Sequence, residues 1–348
     1  MTAINTTLLR TLCFGLIGAA ILGLAGVPGG WIAGAMLGVA IPALSGIAVA
    51  MPDWLRDFAF VCVGISMGTG VTPQTLALLP SWPVTLLMVV ASIPVIAGTL
   101  ALFLMRVAKW DGPTALLASM PGALSYLIAV APEVGAHVPR VAIVQTVRVA
   151  ILVAVIPFVA IVLAEDVAST PTPPQASLDE LLLLGAGGIG GAVLAQLLKV
   201  PAGLMIGALG ASAALYGSGL LVGHPPQLFA IFGFVIMGSS IGARFSETRW
   251  RDLNAVLWTS IASFAIGGSL AVVIAILGSW ITGLPLLKLI VAFAPGGLEA
   301  MVVLAFAMQL DPAFVAAHHL VRFLLIVFIL PFVLGRVGVA RATDRREG

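Results

Sequence analysis

The amino-acid sequence predicts an all-α polytopic membrane protein made of two inverted repeats, each with about five transmembrane helices and one Pro-Gly re-entrant hairpin or broken helix. Three observations support this fold class. The 348 residues are 61% hydrophobic and only 9% charged, about a third of the charged fraction that is usual in soluble domains. Apolar runs long enough to cross a bilayer follow one another along the chain, and segments of the first half recur in the second.

The charge and cysteine content excludes several classes of protein. Sixteen Lys/Arg and fourteen Asp/Glu leave a net charge of +2, which is too small for a nucleic-acid-binding surface. These charges are also too few to cover a soluble enzyme. The two cysteines, Cys13 and Cys62, lie inside apolar runs, so the chain offers neither a disulfide framework nor a cysteine metal cluster.

Twelve apolar segments are candidate membrane spans, since a transmembrane helix needs about 20 mostly apolar residues. They are 8–26, 30–50, 56–71, 82–106, 113–136, 139–164, 180–198, 201–222, 226–243, 253–279, 286–310 and 312–336. An acidic, Pro-rich stretch separates the two sets of six and has the composition of a linker. We therefore expect membrane repeat 1 at 1–164, a periplasmic linker at 165–178, and membrane repeat 2 at 179–348 with a short basic cytoplasmic tail.

An internal duplication relates the two halves. Residues 121–159 and 295–333 share 12 identities in 39 positions at a constant offset of 174. The same offset pairs GISMG (64–68) with GSSIG (238–242), and a nearly identical offset of 173 pairs Val27-Pro28 with Val200-Pro201. An ordered series of this kind is not expected by chance, so the halves are predicted to be homologous.

The distribution of basic residues predicts the topology. With twelve spans and a cytoplasmic N-terminus, nine Lys/Arg fall inside and five outside. If 113–136 and 286–310 instead enter the membrane and return to the same face, thirteen fall inside and Lys288 alone outside. The second arrangement satisfies the positive-inside rule better, and its five crossings per half make the repeats inverted. A single broken helix fits the segment length equally well, so only the charge count favours the hairpin.

The two Pro-Gly breaks are the first candidate for a binding site. Irregular backbone at membrane depth is tolerated where protein or water satisfies its polar groups, and interrupted helices in inverted repeats are typical of secondary transporters. The alternative is a proline kink in an ordinary packed helix, which is less favoured because the break occurs in both halves. The candidate substrate-binding residues here are Pro121, Gly122, Ala123, Ser125, Pro295, Gly296 and Gly297.

Two arginines at matching positions are the strongest single-residue signal. Arg148 and Arg322 lie nine and ten residues into their apolar segments, and an arginine at the centre of a membrane helix costs about 2.5–3.5 kcal/mol. One interpretation is contact with an anionic substrate such as a carboxylate. The other is a structural clamp, in which each guanidinium donates hydrogen bonds to carbonyl oxygens of the break. The two roles are compatible.

Glu299 is the acidic residue predicted to lie deep in the membrane, three residues after the second break. It is a candidate proton carrier or cation ligand, or else a helix cap or a counter-ion of Arg322 or Arg148. Gln145 and its counterpart His319 are further candidates for coupling or ion binding, and Tyr126 for lining a polar cavity. No metal site and no cofactor are predicted, since the adjacent His318 and His319 point about 100° apart on a helix and cannot readily chelate one ion.

The sequence resembles the AbrB duplication family of bacterial integral membrane proteins. The resemblance rests on PGGWIAGAMLG, GISMGTGVTP, SMPGALSYLIAVAPEVG and RVAIVQTVRV in the first half, and on VPAGLMIGALG, MGSSIGARF, APGGLEAMVVLAFAMQLDPAFVAAHHLVR and PFVLGR in the second. Family members carry the labels ammonia monooxygenase and regulator of gene expression. The residues support neither label, because convergent copper ligands and a soluble helix-turn-helix are both missing from the sequence.

The leading functional hypothesis is a secondary transporter or permease of a small, anionic metabolite in the bacterial inner membrane. Alternating access would occur between inverted repeats, with H⁺ or Na⁺ as the coupling ion and both termini in the cytoplasm. The partners expected are the lipid bilayer and the small molecule, without nucleic acid, and a homodimer is compatible with the sequence. The alternatives are a membrane sensor that influences gene expression and, third, a membrane-bound monooxygenase.

Overall fold

The computed structural model describes residues 2–71, 80, 82–163, 174–248 and 250–344, and the regular structure in these ranges is helical. The first half of the described chain contains α1 (Thr2–Leu24), α2 (Gly30–Leu44), α3 (Asp53–Gly68), α4 (Trp82–Arg106), α5 (Gly112–Ser119), α6 (Leu124–Val130) and α7 (Val138–Leu163). The second half contains α8 (Leu178–Leu197), α9 (Gly203–Gly217), α10 (Gln227–Ala243), α11 (Trp250–Thr282), α12 (Leu286–Phe293), α13 (Leu298–Ala307) and α14 (Pro312–Asp344). Residues 165–173, most of the predicted linker at 165–178, lie outside the described residues.

The described regular structure is all-helical, and the helix lengths are compatible with a multi-pass membrane protein. Seven helices are long and apolar enough to cross a membrane: α1, α4, α7, α8, α10 with the short 3₁₀ turn that follows it, α11 and α14. Three further helices, α2, α9 and α13, are apolar but shorter. Each of the twelve predicted segments corresponds to one helix or, for 113–136 and 286–310, to a pair of short helices.

Side-chain caps fix several helix starts that matter for the site. Asp111 Oδ1 accepts a hydrogen bond from the Thr114 N–H at 3.0 Å and caps α5. Asp311 Oδ1 accepts from the Phe314 N–H at 3.0 Å and caps α14. His137, which precedes Asp311 by the repeat offset, accepts the Arg140 N–H at 3.3 Å through Nδ1 at the start of α7. The two equivalent helices therefore begin with side chains in the same capping role.

A carboxylate anchors the start of the second half. Ser177 and Glu180 form a capping box at the N-terminus of α8, which satisfies two backbone donors that the helix leaves free. Glu180 Oε1 also accepts the N–H groups of Val222 and Gly223 at 3.2 and 3.1 Å. One carboxylate thus joins the beginning of α8 to the loop that follows α9.

The chain folds into two compact units, and each unit contains parts of both halves. Unit 1 comprises 1–82, 152–247 and 299–316, and so includes α1, α2, α3, α8, α9 and α10. Unit 2 comprises 83–151, 248–298 and 317–348, and so includes α4, α5, α6, α11, α12, most of α14 and the first half of α7. The compact units therefore do not coincide with the sequence halves.

Glycines allow the backbones of unit 1 to approach closely. A Cβ added at Gly18 would overlap the Gly34 carbonyl oxygen, and one at Gly191 would overlap the Gly207 carbonyl oxygen. The first contact joins α1 to α2 and the second joins α8 to α9. The offset between the two pairs is 173 residues, so the same close approach occurs once in each half.

Other glycine contacts in unit 1 join helices that belong to different halves of the sequence. Gly64 of α3 abuts the Met205 carbonyl of α9, and Gly238 of α10 abuts the Ile32 carbonyl of α2. Each contact is the counterpart of the other, since the offsets are 174 and 173. This reciprocity is what a two-fold relation between homologous pieces produces.

The same contacts show the direction of the helices in unit 1. On α10, Gly238 faces Ile32 and Gly242 faces Met36, so α2 and α10 run parallel. On α3 and α9 the counterparts progress in the same sense, with Gly68 facing Ser212. The Ser212 hydroxyl donates to the Ile65 carbonyl at 2.8 Å across this interface.

Unit 2 packs α4 and α12 against the long helix α11. A Cβ at Gly267 would lie 3.2 Å from Leu100 of α4, and one at Gly278 would lie 3.3 Å from Leu289 and Phe293 of α12. These two glycines therefore lie where α4 and α12 contact α11. Unit 2 also contains Arg148, Arg322 and both Pro-Gly breaks.

We predict that Gly207→Ala destabilises the protein by about 1–3 kcal/mol, because the added methyl group would overlap the Gly191 backbone. Gly210 on the same helix is the matched control, since a Cβ there meets no atom within 4 Å. Gly210→Ala should be neutral or stabilising by up to about 1 kcal/mol, because alanine favours the helix. Thermal unfolding in detergent measures both, and equal effects of the two substitutions would contradict the close approach.

Candidate functional site

Both Pro-Gly segments break their helices, as the sequence predicts. α5 ends at Ser119 and α6 begins at Leu124, while α12 ends at Phe293 and α13 begins at Leu298. A proline removes an N–H and disfavours helical backbone at the residue before it, and Met120 is accordingly extended, with φ −65° and ψ 128°. We call 120–123 and 294–297 the first and second tips.

The first break reverses the chain. The His137 N–H, which precedes α7, donates to Thr114 Oγ1 at the start of α5 at 2.8 Å. The segment between α6 and His137 is folded back on itself, because the Ala136 N–H reaches the Ala131 carbonyl at 2.9 Å. The end of α6 therefore lies close to the level at which α5 begins.

Arg148 binds the first tip. The residue is 2% exposed, and Nη2 donates to the Met120 carbonyl at 2.8 Å and to Gln145 Oε1. Gln145 Nε2 donates in turn to the carbonyls of Met120 at 2.8 Å and Leu117 at 3.2 Å. These carbonyls lose their helical partners where α5 ends, so the two side chains satisfy the backbone that the break exposes.

Arg322 binds the second tip in the same way. It is 3% exposed, and Nη1 donates to the Ala294 carbonyl at 2.6 Å. Nη2 donates to the Gly296 carbonyl at 2.8 Å and to His319 Nδ1 at 2.6 Å. Ala294 is the counterpart of Met120, so each half contains the same arginine-to-carbonyl bond at the repeat offset.

His319 takes the place of Gln145 in this arrangement. Its Nε2 lies 3.0 Å from the Val291 carbonyl, and Val291 is the counterpart of Leu117. Because an arginine can only donate hydrogen bonds, Nδ1 must be the acceptor and Nε2 must carry the proton. The neutral imidazole therefore donates to the Val291 carbonyl and accepts from Arg322, as the amide of Gln145 donates to the Leu117 carbonyl and accepts from Arg148.

The two tips meet within unit 2. A Cβ at Gly122 would lie 3.3 Å from the Gly296 carbonyl oxygen, and one at Gly297 would lie 3.9 Å from Val149, the residue after Arg148. Gly122 has φ 92° and Ala123 has φ 57°, left-handed backbone that glycine adopts readily and alanine rarely. Of the predicted site residues, the structure thus gathers Pro121 to Ala123, Pro295 to Gly297, both arginines, Gln145 and His319.

Three other predicted residues are placed differently. Glu299 lies in the first turn of α13, is half-buried and belongs to unit 1, whereas the two tips belong to unit 2. Tyr126 directs its hydroxyl at the Val327 carbonyl of α14, at 3.5 Å. The side chain of Ser125 lies outside the described part of the chain.

The described residues do not bring metal-ligating side chains together. Within these ranges no group of three or more His, Cys, Asp or Glu side chains could hold a metal ion. His318 Nε2 is bonded to Thr85 Oγ1 at 2.8 Å, whereas His319 is bonded to Arg322 and Val291. The adjacent histidines therefore serve separate hydrogen-bond networks.

Sequence reasoning predicted that the arginines could bind carbonyl oxygens of the break but did not identify which carbonyls. The acceptors common to both halves are the backbone oxygens of Leu117 and Met120 and of their counterparts Val291 and Ala294, none of which has a distinctive side chain. Their position one turn or less before a Pro-Gly pair, together with an arginine 28 residues later in both halves, is the signal that could have found them.

Comparison with known proteins places the chain in a family. The family profile described as "Transition state regulatory protein AbrB" matches residues 2–69 and 31–338. The chain belongs to the AbrB family. This confirms the resemblance seen in the sequence. The chain is also similar to an "Uncharacterized protein YhjN" of Bacillus subtilis (strain 168), 28% identical over 365 residues, which cover 94% of this chain and 93% of that protein.

We predict that His319→Gln keeps the stability of the protein, because the amide of Gln145 already makes the equivalent donor and acceptor bonds in the first half. His319→Ala should lower the free energy of unfolding by about 1–3 kcal/mol, since it leaves a buried carbonyl and a buried guanidinium donor unsatisfied. Thermal unfolding of both variants in detergent, at one pH, is the measurement. An equal loss in the two variants would contradict the assigned tautomer and bonding.

Proposed function

We propose that this AbrB-family protein is a secondary transporter of a small, anionic metabolite that works by alternating access between inverted repeats. The observation that carries the proposal is the pair of tips, each held by a buried arginine and in contact with the other. Interrupted helices that meet near the centre of a duplicated membrane protein are the usual site of substrate in such transporters. The family description, by contrast, names a regulatory protein and leaves the mechanism open.

The packing of unit 1 supports the inversion of the repeats. The Ala50 N–H, three residues before α3, donates to Thr11 Oγ1 of α1 at 3.0 Å. α1 packs antiparallel on α2, so this bond places the start of α3 near the C-terminal end of α2. Farther along, α3 meets Gly233 of α10 through Val63, and Gly233 precedes the residues that face the start of α2.

It follows that α3 runs opposite to α2. Since α9 runs parallel to α3, α9 also runs opposite to α2, although the two helices are counterparts in sequence. Opposite directions of equivalent helices are what an inverted repeat requires. The charge distribution favours the same topology independently, because thirteen of sixteen basic residues then fall on the cytoplasmic side.

The arginines supply the positive charge that an anion needs. Burying two guanidinium groups in a membrane protein is costly unless they are paired, and their described hydrogen-bond partners are neutral groups: carbonyls, an amide and an imidazole. We propose that the tips and the arginines bind the anion, and that Glu299 couples binding to H⁺ or Na⁺. We further propose that the protein is not an enzyme and that it acts in the bacterial inner membrane, as a monomer or homodimer.

We predict that Lys109→Cys and Glu133→Cys, in a background without Cys13 and Cys62, are labelled by a membrane-impermeant thiol reagent from the same, cytoplasmic side. Both positions are exposed and flank the first hairpin, so a re-entrant hairpin leaves them on one face. Pro285→Cys and Gln309→Cys, which flank the second break, should be labelled together from the periplasmic side. Labelling of either pair from opposite sides would show that the segment crosses the membrane.

We predict that Arg148→Ala and Arg322→Ala abolish uptake of the anion by proteoliposomes, because each removes a buried positive charge at the tips. Arg106→Ala is the control, since Arg106 is exposed at the end of α4, and it should transport normally. Size-exclusion chromatography establishes that the variants fold. Uptake that persists in both folded arginine variants would refute this part of the proposal, and saturable binding without any uptake would favour the sensor.

A further inference from the structure

We propose that the two tips form one conformational switch. In the structure the first tip has positive φ values and the second does not, and in a second state the tips exchange these conformations. The inference deepens the proposed function, on which its role in alternating access rests, by naming the element that changes between two states. It comes from the backbone angles and the arginine hydrogen bonds of the tips, which differ although the tips are counterparts.

Positive φ values follow the duplication everywhere in the described part of the chain except at the tips. The other residues with positive φ form counterpart pairs at offsets of 173 or 174: Gly26 with Lys199, Gly29 with Ala202, Gly46 with Gly219, Lys109 with Gly283, and Gly135 with Gln309. At the tips, Gly122 and Ala123 have positive φ, whereas their counterparts Gly296 and Gly297 do not. The halves therefore fold alike at these turns and differently at their tips.

The residue types at the tips do not account for this difference. Glycine adopts left-handed backbone readily, whereas alanine adopts it at a cost. Local preference alone would therefore place the positive φ at Gly297, yet its counterpart Ala123 has it, with φ 57°. Strained backbone of this kind persists where the surrounding structure imposes it. The packing around the tips, rather than their own sequence, thus selects which tip is left-handed.

The arginine hydrogen bonds differ between the halves in the same sense. Arg322 donates to the Gly296 carbonyl at 2.8 Å, in addition to its bond at the end of α12. Arg148 makes the equivalent bond at the end of α5, but its Nη1 has no acceptor in the described part of the chain. If Gly122 adopted the conformation of Gly296, the repeat symmetry would place its carbonyl at Arg148. Exchange of the tip conformations therefore moves one arginine–carbonyl bond from the second half to the first.

Direct contact between the tips couples their conformations. Gly122 and Gly296 are counterparts, and a Cβ added to Gly122 would lie 3.3 Å from the Gly296 carbonyl oxygen. Counterparts that touch lie beside the two-fold axis that relates them, so a carbonyl that turns at one tip changes the space available to the other. We therefore expect the tips to change together. An element with two discrete arrangements of similar energy is what alternating access requires.

The exchange is measured by NMR on the purified full-length protein in detergent, with ¹³C-labelled methyl groups of methionine and alanine. Met120 and Ala294 are buried counterparts at the beginning of the two tips, so their methyl groups report on each tip separately. Each signal is assigned from the spectrum of a variant that lacks it. Relaxation dispersion and saturation transfer give the exchange rate and the ratio of the two states. We expect both methyl groups to exchange at one rate and with one ratio.

Two substitutions that make the tips identical in sequence should both favour the state seen in the structure. Ala123→Gly removes the cost of left-handed backbone from this state, and Gly297→Ala adds the same cost to the other, while its Cβ is tolerated at 3.9 Å from Val149. Each should shift the ratio by about fivefold, which corresponds to about 1 kcal/mol. Gly122→Ala, at φ 92°, should shift it the opposite way. Gly98→Ala on α4, where the added Cβ meets no atom within 4 Å, is the control and should change the ratio by less than about twofold.

The expected pattern can be contradicted in three ways. Exchange at neither methyl group of the wild type, exchange at one without the other, or opposite shifts in Ala123→Gly and Gly297→Ala would overturn the inference. Exchange with the expected shifts but without uptake by proteoliposomes would retain the switch and refute transport. Uptake without exchange at the tips would refute the switch alone, so the two failures are distinct.

Discussion

The contact between a buried guanidinium and the carbonyl at the end of a broken helix is the interaction on which the rest of unit 2 depends. A helix that stops inside an apolar protein leaves carbonyl oxygens without partners, and their desolvation is expensive. An arginine in the same place is expensive too. Each satisfies the other, and the partial negative charge of the helix C-terminus adds to the attraction. The break and the arginine are therefore one structural element, present once in each half.

The sequence predicted this arrangement in outline because duplication made weak signals visible. A single proline inside an apolar segment indicates only a kink, and a single arginine only a rare residue. Their recurrence at one offset identified the tips, Arg148 and Arg322, and Gln145 with His319. Periodicity could not reveal the acceptors, because backbone carbonyls carry no sequence signature, nor the different φ values of Gly122 and Ala123. The short lengths of α2 and α9 were also missed, since apolar loops extend the hydrophobic runs beyond the helices.

Glycine has a separate task in unit 1. There close approaches join α1 to α2 and α8 to α9 within the halves, and α2 to α10 and α3 to α9 across them, and each contact recurs at the sequence offset. Small residues let backbones touch where lipid offers no hydrophobic driving force between helices. These contacts across the halves also explain why unit 1 contains the first three helices of both halves.

The arginine clamps and the glycine contacts are distributed differently between the two halves of the sequence. Every arginine clamp joins residues of one half, Met120 with Arg148 and Ala294 with Arg322. The glycine interfaces of α2 and α3 need the other half. A half-length ancestor would therefore carry its own complete clamp, whereas the faces of α2 and α3 that pack on α10 and α9 would need a second copy. Two copies in one chain have a fixed stoichiometry, and equivalent positions can then differ, as Gln145 and His319 do.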